Sequence, residues 1–204
     1  MSTASIRNSE WDVVRVAYKG GGFVQYIYRR AQGGKWHAWL VAAPSAVLEK
    51  AGAKGLGLYA AASMPTDTIL GRYEGTVVAH YATRAEALHS PEAARLVRRG
   101  ADKILAVRCR DGGPGWDVLD GTTSAHTPPC IPLVNDPRAT RLRTNCVLSE
   151  HGYLRSTRRV PGFDLDASIA ANMNAEFRTD YGSAFWELVD AVGTMAAPIV
   201  CDGH

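Results

Sequence analysis

The feature that most constrains this chain is how briefly its β-prone runs last. Stretches rich in Val, Ile, Tyr and Trp are broken every few residues by turn formers, and the 204 residues include 20 Gly and 10 Pro. Short runs with this punctuation argue for a β-rich fold of small sheets. Strands are expected at 11–17, 23–29, 36–41, 57–60, 68–73, 103–109, 116–119, 146–149 and 166–170. The stretch Arg30-Ala31-Gln32-Gly33-Gly34-Lys35 reads as the hairpin loop joining the second and third. Strand order is not readable from periodicity.

Helices are few. Ser90-Pro91-Glu92 supplies an N-cap, a proline at the first helical position and an early acid for a helix through Arg99, which Gly100 should close. A helical turn at 83–88 precedes it. A last helix is expected from Ser183, with Phe185, Leu188, Val189 and Val192 on one apolar stripe. Residues 111–115, Asp-Gly-Gly-Pro-Gly, read as an exposed turn, and 122–132 as a Pro/Thr-rich loop. The fold class expected is therefore β-rich α+β. With 46% hydrophobic residues the chain can bury a core, and its length favours one domain with elaborations.

Composition excludes several functions. No apolar run reaches the roughly 18 residues of a membrane span, and the N-terminus lacks the basic-then-apolar order of a secretory signal. An intracellular address, nuclear or cytoplasmic, is the expectation. The four cysteines, Cys109, Cys130, Cys146 and Cys201, include no C-x-x-C, so isolated buried thiols are expected rather than a zinc ribbon or a disulfide framework. Nor does spacing suggest a ligand set among His37, His80, His89, His126, His151 and His204; His126 and Cys130, four apart, read as structural or exposed.

A net charge of +3 does not announce nucleic-acid binding, but the charge is uneven. From Val160 onward Arg178 is the only Lys or Arg, against Asp164, Asp166, Glu176, Asp180, Glu187, Asp190 and Asp202. An acidic rim of this kind would attract a basic peptide; a solvated face is the plainer reading.

Two glycine-rich stretches carry the chemistry. In Gly52-Ala53-Lys54-Gly55-Leu56-Gly57-Leu58-Tyr59-Ala60 closely spaced glycines run into a short apolar strand. Their intervals fit neither a dinucleotide fingerprint nor a Walker loop, which leaves a tight turn or a binding loop of another kind. The second stretch is Ile69-Leu70-Gly71-Arg72-Tyr73-Glu74-Gly75. Read together, K-G-x-G-L-Y-A followed by I-L-G-R-Y-x-G resembles the opening of the SET-domain protein lysine methyltransferases.

The resemblance continues through Leu133-Val134-Asn135-Asp136 and Asn145-Cys146-Val147-Leu148 to Glu176-Phe177-Arg178-Thr179-Asp180-Tyr181-Gly182, followed by Phe185-Trp186. It covers roughly the final three-quarters of the chain, in four ordered segments. It departs from the family's R-F-x-N-H-S-C-x-P-N-C at Asp136, where histidine is usual, and in an insertion at 138–143 whose three arginines suit a solvated turn or a basic contact surface. Zinc segments before and after the motif region are missing, so the chain looks like the compact, zinc-free members.

The resemblance implies a SET fold of several small antiparallel sheets, with an N-terminal β extension at 1–45, a catalytic domain at 46–190 and a tail at 191–204. It implies S-adenosylmethionine as cofactor, without a metal, held by Lys54, Gly55, Leu56, Gly57, Leu58, Asn135, Asp136, Tyr181 and Trp186. Tyr181 would be the catalytic-site tyrosine. Tyr73 and Leu148 would line the substrate channel, Tyr73 being otherwise an ordinary core aromatic. Phe185 and Trp186 would pack on adenine or close the channel, or simply bury the last helix. The implied partner is a basic, lysine-containing protein, histone or other; no membrane and no direct nucleic-acid contact is expected. The Trp and Tyr content of 11–41 suits an extra sheet over the core, and also a partner surface or a homodimer interface. The alternative is a SET-like module that binds cofactor or peptide without turnover.

Overall fold

The computed structural model describes residues 10–19, 22–99, 103–109, 111–122, 124 and 127–195. Gly100, His126, Cys201 and His204 lie outside these residues, as does the expected tail beyond 195. In chain order the strands are β1 (Trp11–Ala17), β2 (Phe23–Arg30), β3 (Trp36–Pro44), β4 (Leu56–Ala60), β5 (Ile69–Arg72), β6 (Thr76–Tyr81), β7 (Ile104–Arg108), β8 (Trp116–Asp120), β9 (Cys146–Leu148) and β10 (Tyr153–Ser156). The α-helices are α1 (Ala46–Lys50), α2 (Arg84–Leu88), α3 (Pro91–Arg98) and α4 (Ser183–Met195). This is a β-rich α+β fold with three small antiparallel sheets. Among the described residues no helix is long and apolar enough to cross a membrane.

The chain forms two compact units. The first comprises Met1–Glu74 and Thr123–Asp180, the second Gly75–Thr122 and Tyr181–His204. In the first, β1, β2, β3 and β4 pair antiparallel in chain order, so the N-terminal strands share one sheet with the strand that follows the glycine turn. The loop between β2 and β3 is closed by Ala31 N–H donating to Lys35 O at 2.8 Å. Gly33 and Gly34 turn it at φ of 86° and 79°, values that side chains resist. A second sheet has the order β5-β10-β9. Leu40, Leu58, Tyr59, Leu70, Leu154 and Phe177 are fully buried in this unit.

An extended segment, 176–179, is bonded along both edges. On one side Glu176 bridges Tyr59, and Phe177 N–H donates to Leu58 O at 2.7 Å. On the other Arg178 bridges Asn135, and Thr179 N–H donates to Asn135 O at 3.1 Å. Asn145 extends that second edge with its side chain: Oδ1 accepts from Arg178 N–H at 2.7 Å and Nδ2 donates to Glu176 O at 2.8 Å. Buried backbone groups need partners, and here a side-chain amide serves as one.

The second unit packs α2, α3 and α4 on the sheet β6-β8-β7 around Ala87, Leu96, Trp116, Val118, Phe185 and Leu188. The expected caps are present. Ser90 Oγ accepts from Ala93 N–H at 3.1 Å with Pro91 in the first turn, and Thr83 forms a reciprocal capping box with Glu86. In α4 the expected stripe buries Phe185, Leu188 and Val192. Residues 191–195 of the expected tail are its last turns.

Two sequence expectations are corrected, and three elements are new. No strand forms at 166–170, where Asp164 Oδ1 accepts from Asp166 N–H and Ser168 Oγ from Ala171 N–H, leading into a 3₁₀ helix over Ala170–Ala175. Asp and Ser here offer the backbone local partners that compete with a ladder. Strands β6 and β10 and the five-residue α1, by contrast, were not anticipated. Glu176, counted among the acids of a charged rim, is fully buried.

Candidate functional site

Three of the four motif segments meet in the first unit, and Glu176 joins them. Its Oε1 accepts from Ser45 Oγ–H at 2.5 Å and from Asn135 Nδ2 at 3.1 Å; its Oε2 accepts from Val47 N–H at 2.9 Å. The Tyr59 hydroxyl lies 3.1 Å from Oε2 and 2.6 Å from Pro44 O, while accepting from Ala46 N–H at 2.9 Å. A buried carboxylate with this many donors is satisfied rather than stranded. Burial, reinforced by the Glu176 charge, pushes the Tyr59 phenol well above its ordinary range, so it stays a neutral hydroxyl.

Asn135 is itself 3% exposed, and Nδ2 also donates to Leu56 O at 3.0 Å and faces Ser45 Oγ at 3.1 Å. Because Leu56 O can only accept, the amide orientation is fixed by its surroundings. The glycine turn is shaped by the same group. A Cβ on Gly57 would stand 2.8 Å from Glu176 Cδ and closer still to Oε1, and one on Gly55 would stand 2.6 Å from Leu48 Cδ1. Gly57 therefore has an internal reason to be there, whereas at Gly55 only the flexible end of the half-buried Leu48 would have to give way. Leu58 is buried, whereas Lys54, Gly55 and Leu56 are exposed.

The remaining expected residues are distributed as follows. Asp136 is half-buried, with Oδ1 accepting from Arg138 N–H at 2.8 Å. Tyr73 is buried just beyond β5, its N–H donating to Gly152 O at 2.7 Å. Leu148 ends β9 opposite Leu154. In the second unit Tyr181 is half-buried at the head of α4. It meets Phe185 edge-on at 5.1 Å between centroids and Trp186 in a stack at 6.3 Å and 16°. Phe185 belongs to the core there, and Trp186 is half-buried beside it.

The thiols of Cys130 and Cys146 match the expectation of isolated buried cysteines; burial pushes each up to about 12. Cys109 is different. His80 and Asp117 are cross-strand partners in β6 and β8, and Val107 faces Asp117 from β7. Side chains two apart share a strand face, so Cys109 joins the same side of the sheet. His80 Nδ1 lies 3.1 Å from Cys109 Sγ and 3.2 Å from Asp117 Oδ1, and Sγ lies 3.7 Å from that oxygen. The three line a pocket of about 520 Å³ with Val77, Asp111, Gly113 and Pro114. Burial, then the Asp117 carboxylate, raises the Cys109 thiol above its usual range.

No protein-family model matches this chain, and no curated protein matches it. Its functional reading rests on its own motifs and geometry.

Two groupings escaped sequence reasoning. The Ser45–Glu176 pair is 131 residues apart, and nothing in the sequence connects the two partners. The His80–Cys109–Asp117 group becomes visible only once β6 is paired with β8, since spacing along the chain gives no metal or catalytic motif.

Proposed function

We propose that this chain is a SET-type protein lysine methyltransferase, transferring methyl groups from S-adenosylmethionine to the side-chain amine of a basic protein. The observation that carries the reading is the meeting of motif segments far apart in sequence. Asn135 Nδ2 reaches Leu56 O across 79 residues, and the segment leading to Tyr181 runs between them, bridged through Arg178. The small antiparallel sheets support the same assignment.

The cofactor supplies a sulfonium-bound methyl group. The donor set agrees with its amino-acid end at one point: the amide hydrogens of Asn135 are committed internally, so the side chain has its acceptor Oδ1 to offer an ammonium group. Tyr181 then works on the substrate amine. A lysine with a pKa of about 10.4 costs roughly 3 kcal/mol to deprotonate at pH 8, and an apolar aromatic surround lowers that cost by disfavouring the ammonium. The phenol, braced by Phe185 and Trp186, orients the amine lone pair through a hydrogen bond, and water takes the proton. Positioning is the whole of the contribution asked of it.

Incubation with labelled S-adenosylmethionine and lysine-containing basic peptides should give transfer that Tyr181→Phe lowers by about 100-fold, the scale of a lost orienting contact. Equal transfer by the variant would remove Tyr181 from this role. A second reading is a non-catalytic SET-like module, favoured by Gly57 and Asn135 both having contacts within the first unit, to Glu176 and Ser45, that account for them structurally. Calorimetric titration with S-adenosylmethionine separates the two: binding with no transfer to any protein in a lysate supports the module.

A further inference from the structure

We propose that His80, Cys109 and Asp117 form a binding site for a zinc-class divalent cation, independent of the methyl-transfer reading. The geometry first excludes the rival arrangement. In a Cys-His-Asp catalytic relay the thiol and the carboxylate address opposite ring nitrogens, so that one orients the imidazole while the other gives up its proton. Here both address Nδ1: Cys109 Sγ at 3.1 Å and Asp117 Oδ1 at 3.2 Å, with Nε2 at 4.0 Å from the sulfur. Three donor atoms of the kinds that zinc takes thus lie close together, as a shared cation requires.

The separations suit zinc. Metal–ligand lengths of about 2.3 Å to sulfur and about 2.0–2.2 Å to nitrogen and oxygen, at tetrahedral angles, put donor atoms roughly 3.3–3.6 Å apart. The three observed separations, 3.1, 3.2 and 3.7 Å, bracket that range. A thiolate, an imidazole and a carboxylate are also a mixed set that a borderline-soft ion accepts and that magnesium or calcium does not. On binding, the Cys109 S–H bond breaks, its proton leaves to solvent, and the thiolate takes the cation.

The fold holds this set in place on two sides. Strand register fixes His80 against Asp117, and Cys109 N–H donates to Gly115 O at 3.2 Å, closing the turn that carries the thiol. Gly115, at φ 105°, leaves room for the ring: a Cβ there would stand 2.7 Å from both Cε1 and Nε2 of His80. A side chain at 115 would displace the imidazole that the site needs. The three side chains line the same pocket as Asp111.

The test uses the full-length protein, stripped with a chelator and titrated with Co²⁺, then with Zn²⁺. One equivalent of Co²⁺ should give a tetrahedral spectrum with a thiolate-to-cobalt charge-transfer band that Zn²⁺ abolishes. Cys109→Ser should lose that band, and His80→Ala should weaken binding at least about 10-fold, a loss already typical of removing a partner outside the ligand shell. The His80 side chain is 55% exposed, so its truncation leaves the fold intact, as circular dichroism should report. Absence of the charge-transfer band in the wild type overturns the proposal, as does a band that persists with undiminished affinity in His80→Ala.

Discussion

At Gly57 the space that a methyl group would need is taken by the Glu176 carboxylate, with Ser45 Cβ 3.2 Å away on a further side. Neither neighbour is free to retreat, because Glu176 is held by Ser45, Val47 and Asn135 at once. Gly57→Ala should therefore destabilise the protein by about 1–3 kcal/mol, the range for overpacking a filled interior, read as a lower urea midpoint at unchanged slope. An unchanged midpoint with weakened S-adenosylmethionine binding would mean that the glycine serves a ligand instead. This residue shows how much was legible beforehand. The closeness of something to the backbone could be read from G-x-G, but what approaches could not, since nothing along the chain ties Gly57 to a glutamate 131 residues from Ser45.

Among the elements, those with local punctuation were legible. Ser90-Pro91-Glu92 marks the start of α3, and the buried Ser90 hydroxyl does two jobs, donating to Ala87 O at 2.8 Å and accepting from Ala93 N–H at 3.1 Å. Ser90→Ala should cost about 1–2 kcal/mol, whereas Thr83→Ala, at the exposed capping box of α2, should cost about 1 or less. Thermal melts of the two variants check the order; a larger loss from Thr83→Ala would refute the argument from burial. Elements whose identity depends on a distant partner were not legible. Strand β6 is interrupted by a register shift between Val77 and Ala79, which blurs its alternation, and β10 is only four residues long. Helix α1 stands on Ser45, whose Oγ accepts from Leu48 N–H while also donating to Glu176, so its cap is tied to the far end of the chain.

For the molecule as a whole, the second unit is assembled from two separate stretches of chain. Phe185, Leu188 and Val192 of α4 fill its core, and three such side chains are worth about 5–9 kcal/mol at about 1.5–3 each, comparable to the stability of an ordinary domain. Ending the chain after Asp180 should strip hydrogen-exchange protection from β6, β7 and β8 while Leu58 and Phe177 in the first unit keep theirs. Simultaneous loss in both would show that the units do not hold separately. The order of strands in β5-β10-β9 and β6-β8-β7 was beyond sequence reasoning because in each sheet one strand pairs outside its chain neighbours, β5 with β10 and β6 with β8, and the metal-like grouping was hidden with it. The segment at 176–179, clasped along both edges, has a consequence for biogenesis. A nascent chain emerging from the ribosome holds Ser45, Leu58, Asn135 and Asn145 with their shared partner segment still unmade, so the centre of the first unit closes only after residues 176–179 have been synthesised. Until then the edges of β4 and of the Asn135 segment that receive it stay unpaired there.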